Sequence, residues 1–181
     1  MNRTSACVFV VLAFIGCNPK PERSPMAVSP SPTASATGGV PPLHFVGKGT
    51  ADRPIHIVQT RGSRTLYEIF ARSLEGTQVA GAATSRLHNA RIIFHDGHGG
   101  RLIAVAPTAI VDQLKDEIEL EGHVHTVSST GLVLDCDTLI VNRGTDHLRG
   151  EGHVVMTDPK GLHATGNRVD SNLSFTKVRL Q

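Results

Sequence analysis

Ile118-Glu119-Leu120-Glu121-Gly122-His123-Val124-His125-Thr126 alternates along its length. On an extended chain Ile118, Leu120, Val124 and Thr126 share one side, and Glu119, Glu121, His123 and His125 share the other. Side chains of a β-strand alternate between faces, so this is a strand with one face in a core and one in water. Thirty residues on, Glu121-Gly-His-Val124 returns as Glu151-Gly-His-Val154. There Leu148, Val154 and Met156 oppose Arg149, Glu151 and His153.

The surrounding chain shares this period. Gly131-Leu132 recurs as Gly161-Leu162, Asn142 as Asn172, and Thr108, Ile110 and Val111 as Thr138, Ile140 and Val141. A fixed period marks one structural unit that buries its apolar face only by stacking on the next. Long faces and open ends follow, which suit carrying or bridging better than catalysis. Gly122 and Gly152 hold equivalent strand positions and mark a bulge or a close backbone approach. The other strand of each unit (Leu102–Ala106, Leu132–Leu134, Leu139–Val141) is apolar on both sides, which places it deeper or against a second sheet.

Turn signals punctuate the strands: Asp96-Gly97-His98-Gly99-Gly100, Ser128–Gly131, Asn142-Arg-Gly144 and Asp158-Pro-Lys-Gly161. Asp, Asn and Gly supply the positive φ angles and side-chain caps of tight hairpins. No helical period is sustained after Val40, and about eight to ten strands fit between Thr65 and Arg179. The class is all-β. Strand pattern alone leaves two architectures open, a two-sheet jelly roll and a single-sheet solenoid.

The chain of 181 residues has room for one domain and a leader. Arg3 and the apolar run Ala6–Gly16 form a signal peptide (residues 1–16), too short for a hydrocarbon core of ~30 Å. Phe14-Ile15-Gly16-Cys17 resembles a bacterial lipobox, with Phe14 where Leu is usual. Processing of that kind makes Cys17 the acylated first residue; the other reading is an ordinary signal peptide cut nearby. Residues 17–42 hold most of the ten prolines among Ser, Thr, Ala and Gly, the composition of an extended tether. The folded domain is therefore residues 43–181. Without Arg3 the chain has 17 basic and 16 acidic side chains, and no basic patch points to nucleic acid. Cys136, the one cysteine of the domain, stands where Ala106 stands a unit earlier and reads as a small buried residue.

Ten histidines raise the question of a metal. His123, His125 and His153 share a face beside Glu119, Glu121 and Glu151, but a solvated outer face with His–Glu pairs explains the same placement, and no metal site is assigned. His95-Asp96-Gly97-His98 lacks an embedded Ser or Cys nucleophile, and a hairpin turn accounts for it. Gly47-Lys48 lacks the preceding glycine of a phosphate loop, since Pro42 stands there. Neither catalytic residues nor a cofactor is expected.

From Arg64 to Leu180 the chain resembles the LptC family, the periplasmic component of bacterial lipopolysaccharide export. The resemblance is carried by Tyr67-Glu-Ile-Phe-Ala71, Asp96-Gly97 leading to Leu102-Ile-Ala104, Thr108-Ala109, Leu120-Glu-Gly-His-Val124, Gly131-Leu132 and Thr165-Gly166. It implies an open, V-shaped β-jelly roll on the periplasmic side of the inner membrane. Such a protein receives lipopolysaccharide from an inner-membrane ABC transporter complex and passes it to a homologous bridge protein. Family members commonly keep an uncleaved transmembrane helix, whereas this chain has a lipobox and a tether, which leaves inner- or outer-membrane anchoring open.

Each buried CH₂ contributes ~0.8 kcal/mol, so a multi-acyl lipid needs a continuous apolar lining. The expected groove lining is Ile118, Leu120, Val124, Leu132, Leu134, Ile140, Leu148, Val154 and Met156. Ala104, Ala106 and Ala109 leave space between the sheets. The closing segment Asn172–Leu180 alternates and reads as an edge strand, with Leu173, Phe175, Lys177 and Val178 offered to a partner, while Thr65–Ile69 forms the opposite, membrane-proximal edge. The rival class is a structural envelope β-lipoprotein that self-assembles through its strand edges. Apolar side chains reachable from a lateral opening mark the carrier; a sealed core marks the rival.

Overall fold

A computed structural model describes residues 42–181. The signal peptide, Cys17 and nearly all of the tether lie outside the described residues. Eleven strands make up the domain: β1 (Leu43–Lys48), β2 (Ile55–Arg61), β3 (Arg64–Ala71), β4 (Ser73–Val79), β5 (Ala82–His95), β6 (Arg101–Asp112), β7 (Glu117–Ser128), β8 (Val133–Asn142), β9 (His147–Thr157), β10 (His163–Ser171) and β11 (Val178–Leu180). From β4 to β11 the strands pair in chain order, all antiparallel. β3 and β4, separated by the corner at Arg72, pair with successive halves of β5, and β2 and β1 pair with them in turn.

This is one open antiparallel sheet, not closed into a barrel, and the all-β jelly-roll expectation holds. Its two leaves are halves of the same long strands. One interior cluster takes residues from both halves, including Phe94, Leu102 and Leu134 from one and Leu87, Leu120 and Leu148 from the other. No helix is present among the described residues to cover that face, so the sheet covers itself by folding over.

The fold line runs through the strand middles and is written by the repeat. β7 has three residues between the inward-facing Leu120 and Val124, where β8 has two between Cys136 and Leu139. The surplus residue makes a bulge at Gly122-His123, and Gly152-His153 makes the equivalent one in β9. All four residues have positive φ, between 44° and 87°. At Gly152 an added Cβ would also strike the Asp137 carboxylate. Small interior residues (Ala90, Ala106, Ala109, Cys136) flank this line and let the leaves converge. Cys136 is buried at the position matching Ala106.

Three expectations are corrected. Asn172–Leu180 is not a continuous strand, because the Asn172 side chain accepts hydrogen bonds from the Thr176 and Lys177 amides at 2.9 and 3.2 Å and winds residues 172–177 into a turn. Leu173 is consequently buried and Phe175 packs on the core, so neither lies on an edge; Lys177 is in the turn, and Val178 opens the short β11. Thr65–Ile69 is interior to the sheet, between β2 and β5, and the free edge on that side is made by β1 and β2.

Candidate lipid-binding interior

The space between the leaves is lined by aliphatic side chains that the strand alternation sends inward. Ile118, Leu120, Val124, Leu134, Leu148 and Val154 are no more than 1% exposed and belong to one cluster. Leu132 and Met156 pack against it from its margin and are half-buried. Ile140 is not brought to this site. It pairs across the sheet with Glu119 and Arg149 on the outer face, while its neighbours Leu139 and Val141 point inward. The strands apolar on both sides do not face a second sheet either: Val105 is 45% exposed. The buried Thr126 hydroxyl is satisfied, donating to the Leu134 carbonyl at 3.2 Å.

The leaves touch through side chains and not through strand pairing. They meet where the ends of β2, β3 and β5 on one leaf face the β6–β7 and β8–β9 turns on the other. Arg61 reaches Asp116 at 3.2 Å. Arg143 crosses the same seam, donating from Nη2 to the His95 carbonyl at 3.3 Å. Beside them a cleft of about 350 Å³ is lined by Arg61, Leu66, Tyr67, Asp116 and Ile118, among others. Burial pushes the Tyr67 hydroxyl above its ordinary range, with Asp116 adding to the shift and Arg143 opposing it. Burial pulls Arg143 below the usual arginine range, against the pull of Asp116, Asp146 and Tyr67. Nε and Nη1 of Arg143 are buried without a hydrogen-bond partner among the described residues. Each such buried N–H costs ~1–3 kcal/mol, and more on a charged group.

The outer face carries the histidines. Asp137 receives His153 Nδ1 at 2.7 Å and lies 3.6 Å from His123 Nδ1, so both bulge histidines share one carboxylate. His125 Nδ1 pairs with Asp135 at 2.6 Å. The partners are therefore Asp135 and Asp137, not the glutamates of the same strands. Among the described residues no group of three His, Cys, Asp or Glu side chains is placed to hold a metal ion. His95 approaches Glu68 at 3.3 Å, and Asp96 accepts from the His98 and Gly100 amides, both at 2.8 Å, as a turn residue does. The seam arginines escaped sequence reading: Arg61 closes β2 and Arg143 stands in the β8–β9 turn, and only the folding-over of the sheet brings them to one seam.

A folded-over antiparallel sheet with an aliphatic interior is the architecture that the sequence resemblance implied. A family model described as "Lipopolysaccharide-assembly, LptC-related" matches residues 57–181. The chain belongs to the LptC-related family. No curated protein gives a match. Membership gives the protein a role in lipopolysaccharide transport, in association with that machinery at the periplasmic side of the inner membrane.

Proposed function

We propose that this LptC-related chain is a bridge that takes lipopolysaccharide from an inner-membrane ABC transporter and passes it to a homologous periplasmic protein. The observation that carries the reading is a continuous aliphatic interior between two leaves joined at their mouth only by side chains. Parting them breaks a few polar contacts and no sheet hydrogen bonds. The acyl chains then take over the interior contacts that the leaves make with each other in the closed form. Ile118, Leu120, Val124, Leu132, Leu134, Leu148, Val154 and Met156 are the proposed lining.

Hand-off uses the strand edges. β1 and β2 offer one free edge, with Leu43, Val46 and Val58 exposed along it, and β11 with the outer side of β10 offers the other. Strand addition there would join transporter, bridge and next bridge into one sheet. We propose Cys17 as the lipid anchor and residues 18–42 as the tether that spaces the domain from the membrane; mass spectrometry of the mature N-terminus tests this, and retained residues 1–16 would refute it. The sealed interior is also what a structural β-lipoprotein would show, and family membership in a transport system weighs against that reading. Depleting the protein in its native cell tests the bridge: lipopolysaccharide should accumulate in the inner membrane and return to the surface when the chain is restored. Unchanged lipopolysaccharide distribution on depletion would overturn it.

A further inference from the structure

We propose that Arg143 recognises the anionic headgroup of the carried lipid, its free guanidinium N–H groups taking a lipid phosphate at the mouth between the leaves. The inference deepens the carrier reading and rests on it.

Arg143 stands in the β8–β9 turn, where its own backbone amide donates to the Asp116 carbonyl at 2.9 Å and fixes its origin. From there the side chain crosses to the other leaf and spends one N–H on the His95 carbonyl. Nε and Nη1 remain buried with no partner. Asp116 and Asp146 are near enough to favour the charge, but neither bonds it, and the Asp116 carboxylate is engaged by Arg61. A guanidinium binds a phosphate in bidentate fashion along an edge, Nε with Nη2 or Nη1 with Nη2, so a phosphate here pairs one free nitrogen with the Nη2 that holds the His95 carbonyl. The aliphatic interior begins immediately inside, at Phe94 and Ile118, the immediate chain neighbours of His95 and Glu117. An acylated phospho-sugar needs this order of groups: charge at the rim and hydrocarbon within.

The position also explains how one ligand opens the seam. In the closed form Arg143 helps to hold the leaves together through a single bond to a neutral carbonyl. A phosphate offers a stronger, charge-assisted pair of bonds and competes for the same side chain, so headgroup binding and release of the latch are one event. Arg61–Asp116 remains as the second contact across the mouth.

The test uses the purified full chain carrying a photo-reactive residue in place of Val154. The probes are hexa-acylated lipid A bearing both phosphates and the same lipid with the phosphates removed. We expect the parent protein to capture the phosphorylated form about tenfold better, the worth of one charged hydrogen-bonding site. Arg143→Gln, which keeps a donor for the His95 carbonyl, should abolish that preference, so that the variant captures the two lipids alike. Arg143→Lys should retain the preference at reduced size, and it decides the matter if the glutamine variant does not fold. A full phosphate preference in the folded glutamine variant, or unaltered capture of both lipids by the lysine variant, would show Arg143 to be structural only and overturn the proposal. Failure of the parent protein to capture either lipid would overturn the carrier reading with it. Equal capture of both by the parent would overturn the headgroup assignment alone.

Discussion

His153 Nδ1 lies 2.7 Å from Asp137 Oδ2, an imidazole on the β9 bulge held by a carboxylate on β8 across the fold line of the sheet. Asp137 raises the His153 pKa above its usual 6.5, by hydrogen bonding first and by charge second. A folded-state pKa above the unfolded one stabilises the fold fully below about pH 6.5 and ceases to do so as pH rises through the folded value. The His153 ring protons should therefore titrate above the ordinary histidine range in NMR, and Asp137→Asn should bring them back. A His153 that titrates identically in both proteins would refute the pairing.

Gly152 sits at φ +74° with Asp137 packed where a Cβ would go, whereas the His153 side chain is 90% exposed. Gly152→Val should lose at least ~1–2 kcal/mol for the left-handed backbone alone, with the clash added. For a domain of this size that is a fall in Tm of roughly 5 °C or more. His153→Ala should lower Tm less. Equal melting temperatures would contradict the assignment of faces at the bulge.

Burial, with the nearby Asp135 and Asp137 charges, pushes the Cys136 thiol up to about 12. The thiolate is the reactive form, so a chain with Cys7 and Cys17 replaced by serine should resist disulfide-forming reagents at pH 8 until denaturant is added. Labelling of the native protein at the rate of a free thiol would show that the interior is open in the absence of lipid.

The closing turn should separate partner binding from folding. Thr176→Pro removes the amide that Asn172 holds and should free β11, which has only three residues, while β3–β10 stay folded. Capture of the homologous bridge protein should fall sharply in a pull-down, with the far-ultraviolet spectrum nearly unchanged. Removing residues 172–181 outright is a poorer test, since it also removes the buried Leu173, a loss of ~2–5 kcal/mol. Full-strength capture by Thr176→Pro would exclude this edge from the partner interface.

What the sequence made legible follows from which signals are local. Alternation gave the strands, and Gly-His at a fixed period gave the bulges, because both are written within a few residues. Ile140 went to the wrong face because Leu139-Ile140-Val141 is apolar throughout and carries no phase of its own. Its phase is set by the two-residue spacing between Cys136 and Leu139, which matters only opposite the bulges of β7 and β9. The tail misled for a similar reason: Leu173, Ser174, Phe175 and Thr176 alternate as a strand does, but Asn172 supplies a stronger local alternative through its side chain. The seam at Arg143 and Arg61 was invisible, since it joins strand ends and turns far apart in the chain that meet only once the sheet has folded over.

Site-specific photo-crosslinking in living cells tests the central claim most directly. A photo-reactive residue in place of Val154, Leu134 or Leu120 should capture lipopolysaccharide, and one in place of His153, Glu121 or Ile140 should not. Equal capture from both sets, or none from the interior set in cells that are exporting lipopolysaccharide, would contradict the account of a lipid path between the leaves.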